Sequence, residues 1–377
     1  MNILLEALKR KEKVIEELEE NLTPESINRA RRDHHSKRLP RPCGMTIHTG
    51  IGCSLGCIYC YVPDMGFPMK PQPYPLSGIE MAYALAINPY VYPGYTLAAY
   101  GSVTEPFLTE TIDKALEYIY TVHRFLGLPS QVSTKIPVSK ELAVKLKRSE
   151  PRLSVLITII TIDKAKVLEP NAPHPLERIE SIEVMRREGL HVTLFMRPII
   201  PGITDREAEK IIALAAEKGV NGIVLGSLRV TPGIIRRLTL KGINIGEILK
   251  RMPRKPKSSR DQVTIRETDL KKKITRIAED YGLTVYPSAC AANIEAHGLS
   301  CNACRLGPCG SLRKIPEISD TDVREVLDYF DLKAYTILVS NSRVRVRLRY
   351  NAPRNIIERF KQLIISVARR SVDVRVG

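Results

Sequence analysis

The 377-residue chain lacks any apolar run near the roughly eighteen residues that a membrane-spanning helix needs, which argues against an integral membrane protein. A secretory leader is missing too, since the N-terminus, MNILLEALKRKEKVIEELEEN, is charged and helical in pattern. These two absences predict a soluble, cytoplasmic protein with no membrane partner. There are no internal repeats or low-complexity tracts, and no glycine-rich fingerprint that would mark a dinucleotide fold. Acidic residues are in short supply, 41 against 58 Lys and Arg, leaving a net charge of +17. Such an excess favours a polyanionic partner, RNA or DNA, although a solvated surface rich in Lys and Glu would give the same balance.

The pattern along the chain predicts an α/β protein. Residues 1–43 read as a helix from Leu4 to Leu22 followed by a basic, proline-stopped segment, RARRDHHSKRLPRP. Strand candidates then recur at 45–50, 95–101, 130–135, 154–161, 191–199 and 221–227, with helix candidates at 77–87, 107–126, 138–148, 175–188 and 205–218 between them. Strands alternating with helices predict βαβ units and a parallel sheet, here a partial (β/α)6 barrel of the TIM type over 44–287. The stretch KRMPRKPKSSRD (250–261) reads as a linker or exposed basic loop, and a helix (264–281) and strand (283–287) complete that region. A cysteine-rich segment, 288–317, leads to a small α+β module, 318–377.

Eight cysteines without an export signal point to metal or redox chemistry rather than disulfides. Cys53, Cys57 and Cys60 are spaced C-x3-C-x2-C directly after the first predicted strand. Three thiolates in so short a loop can hold three irons of a four-iron, four-sulfur cluster and leave the fourth iron without a protein ligand. Zinc normally takes four ligands, often from paired C-x2-C units, and fits a lone three-cysteine loop poorly.

These residues, with the aromatic Tyr59 before the third cysteine, resemble the radical S-adenosylmethionine (SAM) superfamily over roughly residues 44–230. The resemblance implies a 4Fe-4S cluster on Cys53, Cys57 and Cys60, SAM chelated at the open iron, and reductive cleavage of SAM to a 5′-deoxyadenosyl radical, with a ferredoxin or flavodoxin as electron donor. It places the SAM amino group near Gly101, Ser102 and Glu105 after the second strand, where Thr104-Glu105-Pro106 also suits a helix cap. It places the SAM carboxylate and ribose at the ends of later strands, on Ser133, Lys135, Thr161 or Arg197, and the adenine on the turn that contains Ile200. The run Leu168 to Pro173, followed by Arg178, is similar to the branch of the superfamily that contains spore photoproduct lyase and its archaeal relatives. In that branch a cysteine donates a hydrogen atom to a substrate radical, a role implied for Cys43. A lone cysteine is also an ordinary small buried hydrophobe.

Cys290, Cys301, Cys304 and Cys309 supply four further thiols, enough for an auxiliary iron–sulfur cluster or a zinc ion. Residues 343–349 alternate Arg with Val or Leu, so one face of a strand carries four guanidiniums. Such a face suits phosphates, RNA or DNA, and equally suits a charged edge that resists aggregation. Three functions are compatible with this reading: a radical SAM enzyme that modifies or repairs nucleic acid, the same chemistry on a peptide or protein, and a non-catalytic, metal-stabilised nucleic-acid-binding protein.

Overall fold

Seven short strands run in parallel, and their order across the sheet is their order in the chain. They are β1 Gly44–Ile47, β2 Leu97–Tyr100, β3 Ser130–Thr134, β4 Ser154–Thr158, β5 His191–Ile199, β6 Gly222–Ser227 and β7 Thr284–Tyr286. This is the partial barrel expected, seen in a computed structural model that describes residues 2–40 and 44–376. The barrel has one strand more than the six counted from periodicity. The segment LTVYP joins it because the helix Thr268–Asp280 buries Leu270, Ile274 and Ala278 and so serves as a regular crossover from β6.

Strands covered on both faces must be apolar almost throughout. β4 meets that demand, with all five residues buried. The crossover helices start where the sequence supplies caps. Ser77 and Glu80 form a reciprocal capping box ahead of Gly78–Ile87, and the Ser139 side chain accepts from Leu142 N–H ahead of Lys140–Ser149. Parallel strands so connected end on one side of the sheet, which is where side chains from separate units meet.

The N-terminal helix α1 (Ile3–Glu20) is packed into the molecule at both of its ends. Val14 and Leu18 enter the barrel core, whereas Leu4, Ala7 and Leu8 enter a second core shared with the C-terminal module. The first four residues of the basic segment expected to be irregular, 29–32, instead close helix α2 (Pro24–Arg32), and a single turn, His34–Ser36, follows. Thr23 caps the helix by accepting from Ser26 N–H, and Pro24 occupies its first position, a start signal that the run of arginines obscured.

The C-terminal module packs β8 (Ala334–Val339), β9 (Arg343–Leu348) and β10 (Ser371–Val376) with β9 in the middle, antiparallel to β8 and parallel to β10. Val344, Val346 and Leu348 face inward against Phe360 and Leu363, and the arginines between them face out. Among the described residues, no helix is long and apolar enough to cross a membrane. Phe360 is fully buried in the core that joins this module to α1. Phe360→Ala is therefore expected to cost about 3–5 kcal/mol in denaturant unfolding, and a loss under about 1 kcal/mol would show that this core does not hold the module in place.

Candidate functional site

The cysteine loop leaves β1 and is braced from four directions. Gly50–Ile51 pairs with Gln72–Pro73, Cys53 N–H donates to Pro68 O at 3.2 Å, and Ile58 N–H donates to Leu168 O at 3.0 Å. Thr104 donates its hydroxyl to Gly52 O. Gly52 has φ 87°, and a Cβ there would lie 2.4 Å from Pro68 O, so the turn admits glycine alone. Asn171 holds the tip, its side chain donating to Ser54 O at 2.8 Å and its backbone N–H to Leu55 O at 3.2 Å. The run Leu168 to Asn171, noted for its family likeness, is thus a physical support of the loop.

Cys53, Cys57 and Cys60 are free thiols, close enough to raise one another's pKa. Burial pushes Cys57 up to about 12, opposed by Lys135 and reinforced by Glu169, and burial raises Cys53 and Cys60 as well. Three carboxylates stand near these thiols, and each is bound elsewhere. Glu169 pairs with Arg178 at 2.7 Å, both fully buried, and accepts the Tyr59 hydroxyl. Asp64 accepts from Arg237 Nη1 at 2.8 Å and from the Thr231 hydroxyl. Glu105 accepts from the Thr134 hydroxyl at 2.5 Å and from Lys135 N–H at 2.8 Å. Arg237 also reaches the loop itself, donating to Ile58 O at 3.1 Å and Cys60 O at 2.6 Å.

The donor set left over is three thiols. Among the described residues, the single trio of His, Cys, Asp or Glu ligand atoms mutually within 4.8 Å is a histidine group elsewhere. At least one pair of the three thiols is therefore more than 4.8 Å apart, wider than the roughly 3.8 Å that tetrahedral zinc with 2.3 Å bonds imposes. A wider triangle of thiolates on three separate irons fits this loop, and it leaves one iron open.

Beside Cys60 opens a pocket of about 280 Å³ over the ends of the strands. Gly101 and Ser102 follow β2 on its wall, Ser133 and Lys135 end β3, Arg197 comes from β5, and Tyr59 rises from the cysteine loop. Two glycines permit this convergence. A Cβ on Gly101 (φ 90°) would lie 2.4 Å from Ser133 O, and one on Gly226 would lie 2.3 Å from the Arg197 side chain. The Arg197 guanidinium stands 5.9 Å over the Phe195 ring and donates to no acceptor among the described residues. The surrounding protein, and then the Arg229 charge, lower its pKa. Lys135 Nζ lies 5.8 Å over the Tyr59 ring, also with no oxygen partner among the described residues. Burial alone would lower its pKa, but Cys57 and Glu169 raise it overall. Gln131 adds a buried side-chain oxygen without a partner. Cations and amide groups left without partners in a pocket are suited to a small ligand bearing a carboxylate.

Of the site residues expected from sequence, Tyr59, Cys60, Gly101, Ser102, Ser133, Lys135 and Arg197 share this pocket. Three others lie behind it. Glu105 is bonded to the end of β3, Thr161 donates to Glu207, and Ile200 is buried in the cluster that also holds Ile58 and Tyr59. Cys43 falls outside the described residues. The second cysteine set also converges. Cys301 and Cys309 exchange both backbone hydrogen bonds at 2.8 Å, and burial followed by the charges of Cys290, Cys301 and Cys304 pushes Cys309 up to about 11. Sequence reasoning missed Gln131, Arg229 and the Arg237–Asp64 clamp. Arg237 lies 177 residues beyond Cys60, and no local motif announces it.

Raising a thiol from an ordinary 9.0 to about 12 cuts its thiolate about a thousandfold at any pH well below both values. In metal-free protein at pH 8, iodoacetamide is expected to label Cys57 at least about a hundredfold more slowly than it labels a free thiol, with the rate still rising above pH 10. A rate that levels off near pH 9 would contradict the buried environment described for Cys57.

Residues 47–215 match the family described as the radical SAM superfamily. Among solved structures, a cysteine variant of spore photoproduct lyase with bound AdoMet and dinucleoside spore photoproduct is similar, with a TM-score of 0.57 and 14% identity over 67% of this chain and 79% of that one. A second cysteine variant of the lyase gives 0.55 and 14% over 70% and 85%, and the lyase complexed with dinucleoside spore photoproduct gives 0.54 and 13% over 69% and 84%. No curated protein sequence matches the chain. At such identity the structural likeness speaks to fold alone, but the family match spans the cysteine loop and strands β2 to β5 of the barrel. Residues 47–215, which contain the three thiols, thus form a domain of the radical SAM superfamily of enzymes.

Proposed function

We propose that the protein binds SAM in the pocket beside Cys60 and directs the resulting radical at a nucleic acid. The observation that carries the reading is a pocket that Cys60, the last thiol of the three-cysteine loop, lines together with two cations, Arg197 and Lys135, that have no oxygen partners among the described residues. A four-iron cluster held by Cys53, Cys57 and Cys60 supplies, when bound, the electron that cleaves SAM to methionine and a 5′-deoxyadenosyl radical. Arg197 offers its planar fork to the SAM carboxylate, and Lys135 adds a second positive charge. The backbone around Gly101 and Ser102 meets the amino group, while Glu105 acts from behind by fixing the end of β3 through Thr134 and Lys135 N–H. Tyr59, locked by Glu169, forms the wall next to the cluster.

Cys290, Cys301, Cys304 and Cys309 hold a second iron–sulfur cluster in this reading. Among the described residues no three of these thiols come mutually within 4.8 Å, which favours separate irons over one zinc ion. Cys290 directly follows Ala289, a residue of the pocket wall, so the second centre adjoins the place where SAM is held.

Support for a nucleic acid comes from the outer face of the C-terminal sheet. Arg343, Arg345, Arg347 and Arg375 line an open groove of about 590 Å³ there. Beside it the exposed Tyr335 ring has the Arg349 guanidinium 5.3 Å from its centre, a surface on which a base can stack. The lyase structures of the same fold include ones that hold a dinucleoside.

A triple Arg343→Ala, Arg345→Ala, Arg347→Ala variant is expected to cleave SAM under dithionite as the wild type does. It should lower the salt slope of binding to single-stranded RNA or DNA oligonucleotides by about 2 log units per log unit of salt. Running RNA and DNA in parallel identifies the preferred polymer. An unchanged slope for both would overturn the nucleic-acid reading, and failure of loaded wild type to form 5′-deoxyadenosine would overturn the SAM reading.

A further inference from the structure

Away from the pocket, three imidazoles meet where the N-terminal segment lies against the end of β1. His34 and His35 occupy the single turn His34–Ser36 that follows α2, and His48 follows β1 directly. One ligand nitrogen from each lies within 4.8 Å of the other two. The ring centroids of His34 and His35 are 4.1 Å apart, with His48 at 5.1 Å and 5.0 Å from them.

The surrounding groups orient these rings as ligands. Asp33 Oδ1 accepts from His35 Nδ1 at 2.7 Å, so the proton resides on Nδ1 and the lone pair on Nε2. A carboxylate fixing the far nitrogen of a histidine is the arrangement found behind metal-bound imidazoles. His35 Nε2 accepts a long hydrogen bond from the His48 backbone N–H at 3.3 Å, a contact that a metal ion binding this nitrogen would displace. Tyr74 donates to Asp33 Oδ2 at 2.6 Å, so its oxygen is left to accept from His34 Nδ1 at 3.1 Å, and the Nε2 lone pair of His34 is available. His48 Nε2 has the Arg38 guanidinium at 3.4 Å, a long contact that a stronger Lewis acid would replace. The His35 side chain is inaccessible, whereas that of His34 is 45% exposed, so an ion reaching the group has a route from solvent.

We infer that His34, His35 and His48 form a divalent-metal site that pins the N-terminal segment to the first barrel strand. Three neutral imidazoles select zinc or another nitrogen-preferring ion over magnesium or calcium, which require oxygen ligands. Three protein ligands leave a fourth position for water, and Asp33 supplies the compensating negative charge one bond further out. The site is independent of the SAM pocket, and neither stands or falls with the other.

The test uses full-length protein with its cysteines occupied by reconstituted clusters, cleared of loosely bound metal and titrated anaerobically with zinc chloride. Wild type is expected to bind one equivalent of zinc more than His34→Gln, and X-ray absorption at the zinc edge should show imidazole nitrogen around it. His34→Gln alters a half-exposed side chain, and circular dichroism checks that the fold is retained. Asp33→Asn, which keeps an acceptor for the turn, should weaken binding by about ten- to a hundredfold. Equal zinc content in wild type, His34→Gln and His48→Gln, or a zinc edge showing sulfur ligands alone, would overturn the inference.

Discussion

Arg178 and Arg237 hold the carboxylates of Glu169 and Asp64, which stand near the cysteine loop, and the chemistry of the loop depends on their doing so. A carboxylate free to swing toward the thiols would supply a fourth ligand and close the site. Both pairs also fasten the loop mechanically, because Glu169 takes the Tyr59 hydroxyl and Arg237 takes the carbonyl of Cys60. The Glu169–Arg178 pair is fully buried, so removing either partner would strand a charge in the interior, a change that typically costs about 3–5 kcal/mol. The same contacts therefore keep these carboxylates engaged away from the three thiols and keep the loop rigid.

The barrel contributes alignment. Because its seven strands run the same way, residues far apart in sequence arrive at one rim: Ser133 and Lys135 from β3, Arg197 from β5, and Tyr59 and Cys60 from the loop after β1. Close approach at that rim is achieved by omission of side chains. Gly101 and Gly226 remove the Cβ atoms that would collide with Ser133 and Arg197. The barrel is then joined to the C-terminal module by α1, which enters both cores, so the arginine face is carried on a module anchored to the domain that holds the site.

The elements that were legible in the sequence are those whose cause is local. C-x3-C-x2-C in one loop, the amphipathic helices near 77–87 and 138–148 and the β-branched strands depend on neighbours a few residues away, and the structure has these helices and strands where the pattern placed them. The seventh strand was seen as a strand but left outside the barrel count, because its pairing with β6 is set by the crossover helix and not by its own three residues. The end of helix α2, 29–32, was taken for loop because composition outweighed the Thr23-Pro24 start signal. The polar partners of the site were less legible still. That Glu105 is absorbed by Thr134 and Lys135 N–H, and that Arg237 clamps Cys60, depends on contacts 29 and 177 residues apart, which no spacing rule anticipates.

The central claim is an open iron on the cluster held by Cys53, Cys57 and Cys60, and the most direct test is electron paramagnetic resonance. In a Cys301→Ser, Cys304→Ser variant, which removes the second centre, the dithionite-reduced protein should show one four-iron signal whose g values shift when SAM is added. A signal that SAM leaves unchanged would mean that every iron already has its ligands from the protein, contrary to the account given.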